Sequence, residues 1–538
     1  MLKRLALGLL AGVASCTAAQ ASDIEHVLLI SVDGLHALDV ANYIESHPDS
    51  ALAELSNHGV TYTNARTPAN SDSFPGLLAL VTGGSPVTGG LYYDVSYDRT
   101  IYDPSNKTCS GPAGNTMVFD ESIDLYGSDN ISKNVIDPAK LPRSKQFGQC
   151  APLYPHAALR TNTIFEVIHA RGWRTAWADK HPAYDLVNGP SGKGVDDLYT
   201  PEITNVNGPD ATVSVDCTVA NDQLKVKAVL NQINGLTSDS KPASVPAIFG
   251  MNFQAVSVGQ KLANSLAGTN CPGVNPAHDN MPGGYLDGAG TPTKVLEFGL
   301  EQTDAALKSM IHALKSKSLW EHTLFIVSAK HGQSPINPVK VNKPGHFADL
   351  VAKLPDAGTN PAAKAIANAA NCSTGPCGFV QDDDVALIWL ADQSKTQLVA
   401  DYLNKNANAL YIEQVMAGDS LTLRFNNPNH DSRTPDIIVQ PIYGTIYTSS
   451  TKKNAEHGGF SFADTNVALI VSRALFQTSK VIKTPVATSQ VAPTILNSLK
   501  INPLSLKSVV MEKTPVLPGL DDVNKNASQT QMGVSSYQ

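Results

Sequence analysis

Ser73 has a setting in which a serine could do chemistry. It stands directly before Phe74 and Pro75, at the start of an apolar run that continues to Gly84. A proline is tolerated in the first turn of a helix because its missing N–H would be unpaired there, so the pattern places Ser73 at a helix N-terminus. Free N–H groups and the helix dipole favour an anion at that position. Ser73 is therefore either a helix cap or a nucleophile held against a phosphate-like group.

Further polar residues follow two of the most hydrophobic segments of the chain. Asp33 follows residues 25–32, and Lys330 and His331 follow residues 322–328. Both segments are short, apolar and rich in β-branched residues, which is typical of buried strands. Each polar residue also has a structural explanation, since Asp-Gly pairs form turns and histidines after strands often serve only as hydrogen-bonding residues.

His457 completes the set of candidate residues. It lies in the sequence Glu456-His457-Gly458-Gly459, ahead of a predicted strand at 468–471. Ligands of open α/β sheets bind outside the carboxyl ends of the strands. A carboxylate, two imidazoles and a helix-start serine at that edge would form a site for nucleophilic catalysis.

Strands and helices alternate along the chain, which predicts a doubly wound α/β fold with a mostly parallel sheet. We expect one catalytic domain over residues 22–518, followed by a polar tail at 519–538. Two stretches, at 85–155 and 182–217, are rich in loop-forming residues and read as insertions. Long insertions of this kind often carry function, so we expect them to lie over the active face.

Composition and charge narrow the class of protein. The chain has 538 residues, 42% of them apolar and 16% charged, as in ordinary globular proteins. The formal net charge is −8, and no cluster of Lys and Arg stands out. Binding to a nucleic-acid polymer is therefore not expected.

The first residues have the pattern of an export signal. Lys3 and Arg4 precede an apolar run at 5–14, and small residues follow, which predicts a signal peptide over residues 1–21. Cys16 lies in a stretch that also resembles a lipoprotein cleavage site. The mature protein is thus expected in the periplasm or outside the cell, and it contacts a membrane only if Cys16 is lipidated.

Six cysteines remain after Cys16, an even number that favours up to three disulfides in an oxidising compartment. Cys372 and Cys377 could close a small loop. The other pairs nearest in sequence are Cys109 with Cys150 and Cys217 with Cys271. The sequence alone leaves the connectivity open.

Taken together, these motifs resemble the alkaline phosphatase superfamily, and most closely its type I phosphodiesterase/nucleotide pyrophosphatase branch. The matching segments occur in the family's order and are 29–34, 67–83, 304–332, 457–459 and 491–496. The resemblance implies that Ser73 is the covalent nucleophile. It further implies that Asp33 and His331 are ligands of one metal ion and His457 a ligand of a second. Paired zinc ions in such sites activate the nucleophile and stabilise the entering and leaving oxygens.

Several positions depart from the family pattern. The family has an aspartate before its His-Gly pair, where this chain has Lys330. It also has an asparagine after Phe-Pro, where this chain has Gly76. The family's Asp-x-x-x-His segment aligns with Gln254 and Val258, which are not metal ligands. A two-zinc centre is therefore not expected, and one divalent metal, zinc above all, or none fits the sequence better.

Lys330 could replace the charge of a missing metal ion. It could pair with Asp33, contact an anionic ester oxygen or activate Ser73 as a neighbouring base. Alternatively, a Lys330–Asp33 ion pair could be purely structural in an inactive site. The sequence accordingly leaves two functions open. One is an exported hydrolase of small anionic phosphoesters, and the other is a non-catalytic protein that binds an anion or a partner.

Other residues also have both a functional and a structural interpretation. Four tyrosines of the first insertion could stack on a substrate or pack the loop, and polar residues elsewhere could reach the site. The tyrosines are Tyr92, Tyr93, Tyr97 and Tyr102, and the polar residues are His278, Asp431, Arg433 and Asp436. A sulfatase and an ordinary serine esterase are disfavoured, because the chain lacks both the Cys-x-Pro-x-Arg signal and a Gly-x-Ser-x-Gly motif.

Overall fold

In the part of the chain that the structure describes, the strands form two larger sheets and three small ones. The computed structural model describes residues 23–125, 136–204, 210–266, 271, 274, 277–372, 376–474, 476 and 479–520. Within them the strands are β1 (His26–Val32), β2 (Gly59–Tyr62), β3 (Ala65–Arg66), β4 (Val95–Asp98), β5 (Asn115–Val118), β6 (Arg143–Gln146), β7 (Gln149–Pro152), β8 (Ala176–Ala178), β9 (Asp197–Tyr199), β10 (Ile248–Phe253), β11 (Thr323–Ser328), β12 (Gly378–Asp382), β13 (Ala386–Leu390), β14 (Ile412–Ala417), β15 (Ile437–Pro441), β16 (Asn466–Val467), β17 (Leu469–Ser472), β18 (Lys480–Ile482) and β19 (Val486–Ala487).

Helices connect most of these strands. In the described part of the chain they are α1 (Ala37–Ser46), α2 (Ala51–Asn57), α3 (Ser73–Thr82), α4 (Pro86–Gly89), α5 (Pro155–Ala158), α6 (Ile164–His169), α7 (Val215–Ile233), α8 (Ala255–Lys261), α9 (Lys294–Ser316), α10 (Phe347–Ala352), α11 (Pro361–Ala370), α12 (Thr396–Lys405), α13 (Asp419–Thr422), α14 (Phe462–Thr465), α15 (Val491–Ser498) and α16 (Lys507–Glu512). None of them is long and apolar enough to cross a membrane.

The central sheet has eight strands in the order β18-β2-β17-β11-β1-β10-β8-β9. All neighbours run parallel except β17, which is antiparallel to both β11 and β2. The predicted mostly parallel α/β sheet is confirmed. Because β17 is reversed, Leu469 at its start pairs with Ser328 at the end of β11. A segment that precedes β17 therefore reaches the edge where the parallel strands end.

Helices cover both faces of this sheet, as a doubly wound fold requires. Side chains of β1 alternate between the faces. Val27 and Leu29 pack with α3 and α15, and Leu28 and Ile30 pack with α7 and α9. The strand is therefore apolar along its whole length, and the polar residues that follow it stand out in the sequence.

The second large sheet is antiparallel, in the order β12-β13-β15-β14. Helices α10, α11 and α12 pack on one of its faces. Tyr92, Tyr93 and Tyr97 are buried against the other face, together with Trp389. These three tyrosines pack the protein interior, which confirms the packing interpretation for them. Tyr102 is half-buried and pairs through its backbone with Arg143.

The two loop-rich stretches contain more regular structure than the sequence indicates. The first holds the hairpins β4–β5 and β6–β7. The second was expected to be irregular, but β9 lies in it and forms an edge strand of the central sheet. A three-residue strand is too short for an alternating pattern to reveal it. Residues 126–135 and 205–209 of these stretches lie outside the described residues.

All three expected disulfides are formed, namely Cys109–Cys150, Cys217–Cys271 and Cys372–Cys377. The predicted signal peptide, Cys16 and nearly all of the polar tail at 519–538 lie outside the described residues. The cysteine pairing agrees with an oxidising environment.

Candidate active site

Ser73 is the first residue of α3, and the cap of that helix is the residue before it. The Asp72 side chain accepts a hydrogen bond from the backbone N–H of Phe74 at 3.3 Å. The interpretation of Ser73 as the capping serine is therefore wrong. With Asp72 in that role, the Ser73 hydroxyl is free for other contacts, although the residue is only 3% exposed.

Ser73 faces His331, which comes from the end of β11. The Ser73 Oγ lies 3.4 Å from His331 Nε2, and the opposite ring nitrogen, Nδ1, lies 2.8 Å from the carbonyl oxygen of Gly332. A carbonyl only accepts, so Nδ1 carries a hydrogen and donates it. In a neutral ring Nε2 then has a free lone pair directed at the Ser73 hydroxyl. The pair has the arrangement of a nucleophile and its general base.

Asp33 follows β1, as predicted, and is fully buried. Its Oδ2 lies 3.2 Å from Lys180 Nζ and 3.7 Å from His331 Nε2, and it also accepts a hydrogen bond from the Gln254 side-chain amide. Burial raises the pKa of this carboxyl, but the ammonium groups of Lys330 and Lys180 outweigh that effect and hold the pKa well below its usual range. Asp33 is therefore an anion in the protein interior.

Lys330 does not pair with Asp33, although the sequence had left such a pair open as one alternative. Its ammonium lies 3.1 Å from both carboxylate oxygens of Asp179 and 3.9 Å from the ring centre of Tyr184. Strand β8 places Asp179 at the same sheet edge, two positions along from β1 in the strand order, so a nearer carboxylate takes the lysine. Lys330 is fully buried and acts on Asp33 through its charge.

Asp179 and Lys180 are functional candidates that the sequence reasoning missed. They follow β8 directly, just as Asp33 follows β1. Asp179 also accepts a hydrogen bond from the indole of Trp177 at 3.0 Å, which fixes its position. The rule that singled out Asp33 could have found both residues, because residues 174–178 of the sequence can also be interpreted as a short strand.

His457 joins the site from the segment before β17. Its ring lies against that of His331, tilted by 36° and with 3.8 Å between the ring centres. Its Nδ1 lies 3.3 Å from Asp72 Oδ1, but the alignment is too poor for a hydrogen bond. Burial, together with the nearby charge of Lys261, holds the pKa of His457 well below its ordinary value, so the ring is neutral. Burial also raises the pKa of Asp72.

The side chains present do not fit a two-zinc centre. Gln254 and Val258 stand where the family resemblance implies metal ligands, and neither is one. Asp33 Oδ2 accepts from Lys180 and Gln254, so only the other oxygen, Oδ1, is left without a hydrogen-bond partner. Among the described residues, no three His, Cys, Asp or Glu side chains are arranged to hold an ion. An ammonium beside the carboxylate also repels a second cation.

The remaining polar candidates have ion-pair partners outside this cluster, which does not favour the alternative that they reach the site. Asp431 pairs with Arg160, Arg433 with Asp98, Asp436 with Arg99 and His278 with Asp216. The first three pairs join the first insertion, or the segment just after it, to the second sheet. Their charges are used to hold these parts of the protein together.

Comparisons with known proteins agree with this description. The family model for type I phosphodiesterase/nucleotide pyrophosphatase matches residues 27–120 and 287–461. A search of curated proteins finds no match. Among solved structures, wild-type alkaline phosphatase PafA is 13% identical with a TM-score of 0.58, and the match covers 90% of this chain and 97% of that one.

Two structures of a mouse protein, ectonucleotide pyrophosphatase/phosphodiesterase 5, are also similar. One is 14% identical with a TM-score of 0.51 and covers 93% of this chain and 99% of that chain. The other is an inactive variant, with a threonine changed to alanine, in complex with AMP. It is 14% identical with a TM-score of 0.50, covering 89% and 96% of the two chains. At these identities the likeness shows a common fold.

The close approach of α3 to the end of β11 yields a test of the site's packing. A Cβ added to Gly76 would lie 1.8 Å from the carbonyl oxygen of Lys330. We predict that Gly76→Ala lowers the free energy of unfolding by about 2 kcal/mol or more, because backbone atoms must move apart. Urea unfolding followed by circular dichroism measures the change.

Gly89→Ala is the matched control for this substitution. A Cβ there would meet only Leu78 Cδ1, at an ordinary contact distance of 3.7 Å. It should leave the free energy of unfolding within about 0.5 kcal/mol of the wild-type value. Equal stability of the two variants would mean that α3 does not pack on Lys330 as described.

Proposed function

The chain belongs to the type I phosphodiesterase/nucleotide pyrophosphatase family, and from that membership we propose that it is an exported phosphoester hydrolase with Ser73 as its covalent nucleophile. The observation that carries the proposal is the Ser73–His331 contact. The hydroxyl faces an imidazole nitrogen whose lone pair is left free by the bond from Nδ1 to Gly332. The family and the fold support hydrolysis of a phosphate ester as the reaction.

The reaction proceeds in two displacements. In the first, Ser73 Oγ attacks phosphorus while His331 Nε2 takes the serine proton. An O–P bond forms to Ser73, and the bond from phosphorus to the leaving oxygen breaks. The leaving alkoxide takes a proton from solvent. In the second, water attacks the phosphoserine and loses a proton to solvent, the Ser73 O–P bond breaks, and the serine oxygen takes its proton back from His331.

The location of Ser73 at the start of α3 suits this chemistry. Unpaired N–H groups and the positive end of the helix dipole favour the phosphoryl oxygens at that point. The substrate is a small anionic ester. A nucleotide ester is one example of this class, since the mouse relative was solved with AMP. These features describe a site for one small ester, and they give no support for binding a nucleic-acid polymer.

Lys330 supplies positive charge that relatives obtain from metal ions. Members of the family use divalent metals such as zinc. Here the ammonium of Lys330 is held between Asp179 and the face of Tyr184, and its charge acts on Asp33. We propose that the metal centre is reduced relative to the family and that hydrolysis does not depend on zinc.

Export is part of the proposal. The signal-like N-terminus and the three disulfides support a periplasmic or extracellular location. Lipidation of Cys16 would add a membrane anchor.

A second candidate function is binding without catalysis. It is favoured by the burial of Ser73, which is 3% exposed, and by the engagement of Lys330 with Asp179. A protein of this kind would bind small phosphate esters but would not turn them over. Measuring both properties on one preparation separates the two candidates.

Substitution of the nucleophile tests the reaction. We predict that the wild-type protein hydrolyses bis-p-nitrophenyl phosphate and that Ser73→Ala lowers kcat/KM by about a thousandfold or more. The measurement is the release of p-nitrophenolate. Ser85→Ala, which removes the cap of α4 and a hydrogen bond to Glu512, is the control and should keep the wild-type rate. Turnover by Ser73→Ala at the wild-type rate would rule out this nucleophile.

Removal of Lys330 tests the source of positive charge. We predict that Lys330→Ala abolishes activity, because Asp179 and Asp33 lose a buried counter-charge, and that EDTA leaves the wild-type activity unchanged. Lys241→Ala serves as the control, since its side chain is 77% exposed and distant in sequence from the site. Activity that EDTA removes and zinc restores would contradict metal independence.

A further inference from the structure

Lys180 differs from Lys330 in being partly open to solvent, with 13% of its side chain exposed against none for Lys330. We propose that the Lys180 ammonium binds the anionic oxygen of the ligand, in the place where relatives hold a metal ion. The proposed binding of an anion by Lys180 does not depend on the proposed function. As a catalytic step it rests on the proposed function.

The contacts of Lys180 leave one N–H for a ligand. Its Nζ lies 3.2 Å from Asp33 Oδ2 and 3.1 Å from Gln254 Oε1. An ammonium has three N–H donors, and these two oxygens use two of them among the described residues. A phosphoryl oxygen is a strong acceptor for the third, in a charge-assisted hydrogen bond. The two fixed oxygens also hold the side chain in one position, so little freedom is lost when a ligand binds.

The position of Lys180 relative to the nucleophile is also suitable. Asp33 Oδ2 contacts both Lys180 Nζ and, at 3.7 Å, His331 Nε2. His331 Nε2 in turn lies 3.4 Å from Ser73 Oγ. The ammonium and the hydroxyl thus belong to one cluster, in which Asp33 Oδ2 and then His331 Nε2 link them. Burial lowers the pKa of Lys180, but Asp33 and Asp179 outweigh this and raise it, so the charge persists.

Lys180 also explains why the metal ligands are missing. The family resemblance assigns Asp33 to one metal and the Gln254 position to the other, and the Lys180 ammonium contacts both side chains. A neutral amide at 254 can accept from an ammonium and also donate to Asp33. An aspartate there would add a second buried negative charge beside Asp33. The glutamine and the lysine therefore form a matched pair.

Lys330 cannot bind the ligand oxygen in the present geometry. Both oxygens of Asp179 hold its ammonium at 3.1 Å, and the Tyr184 ring covers it at 3.9 Å. Lys330 affects Asp33 only through its fixed charge. The two lysines consequently have separable roles, and substitutions can distinguish them.

The test measures binding of inorganic phosphate by isothermal titration calorimetry, which requires no turnover. We expect Lys180→Ala to weaken binding at least tenfold, which corresponds to about 1.4 kcal/mol. Lys180→Arg should bind more tightly than Lys180→Ala, and Lys241→Ala should bind like the wild type. Phosphate affinity unchanged by Lys180→Ala, or absent from the wild-type protein, would overturn the proposal.

Loss of Lys180 leaves Asp33 as an uncompensated buried charge, so the variant could unfold. The double variant Asp33→Asn/Lys180→Ala avoids this, and we expect it to fold and to bind phosphate at least tenfold more weakly than Asp33→Asn alone. Equal affinity of these two variants would overturn the proposal. Folding of each variant is checked by circular dichroism.

A zinc titration provides a readout that a structural lysine would not change. We expect the wild-type protein to bind no stoichiometric zinc, and Lys180→Ala to gain affinity for it, because the Asp33 oxygen and the space beside it are released. Stoichiometric zinc in the wild-type protein would overturn the proposal. Failure of catalysis is a separate outcome: phosphate binding that depends on Lys180, without hydrolysis, supports this inference and rejects the proposed function.

Discussion

The burial of the Asp33 carboxylate is the constraint on which the rest of the site depends. An isolated ionised group in a protein interior costs several kcal/mol, and that cost is offset only by close counter-charges and hydrogen bonds. Asp33 follows a strand that is apolar on both faces, so it cannot reach bulk water. Relatives meet the same constraint with metal ions. In this chain the buried carboxylate is stabilised by the ammonium of Lys180, the amide of Gln254 and the charge of Lys330.

The compensating groups form a balanced set of charges. Asp33 is matched by Lys180 and Asp179 by Lys330, so the four residues carry no net charge. A neutral set binds an anion more weakly than a pair of divalent ions does. Catalysis must therefore draw more on the orientation of Ser73 by α3 and on His331, whose free nitrogen is fixed by its bond to Gly332. On this account the chain keeps the family's nucleophile and replaces the means of activating it.

Much of the site could be predicted from the sequence, because polar residues after strongly apolar strands are conspicuous. Ser73, Asp33 and His331 lie together as that rule required, and His457 joins them because β17 is antiparallel. Lys180 follows β8 as Asp33 follows β1, so the same rule could have found it, but β8 is a short strand whose pattern is weak. The partner of Lys330 depends on which strand lies nearby, and local sequence carries no information on that. The cap of α3 was ambiguous because Asp72 and Ser73 can both accept from helix N–H groups.

The claim that an ammonium takes the place of a metal ion can be tested most directly by anomalous diffraction. Crystals of the wild-type protein grown with excess zinc would be measured on both sides of the zinc absorption edge. The account predicts no anomalous peak within coordination distance of Asp33, with the Lys180 side chain resting on Asp33 and Gln254. A strong peak between Asp33 and His331, with Lys180 displaced, would contradict it.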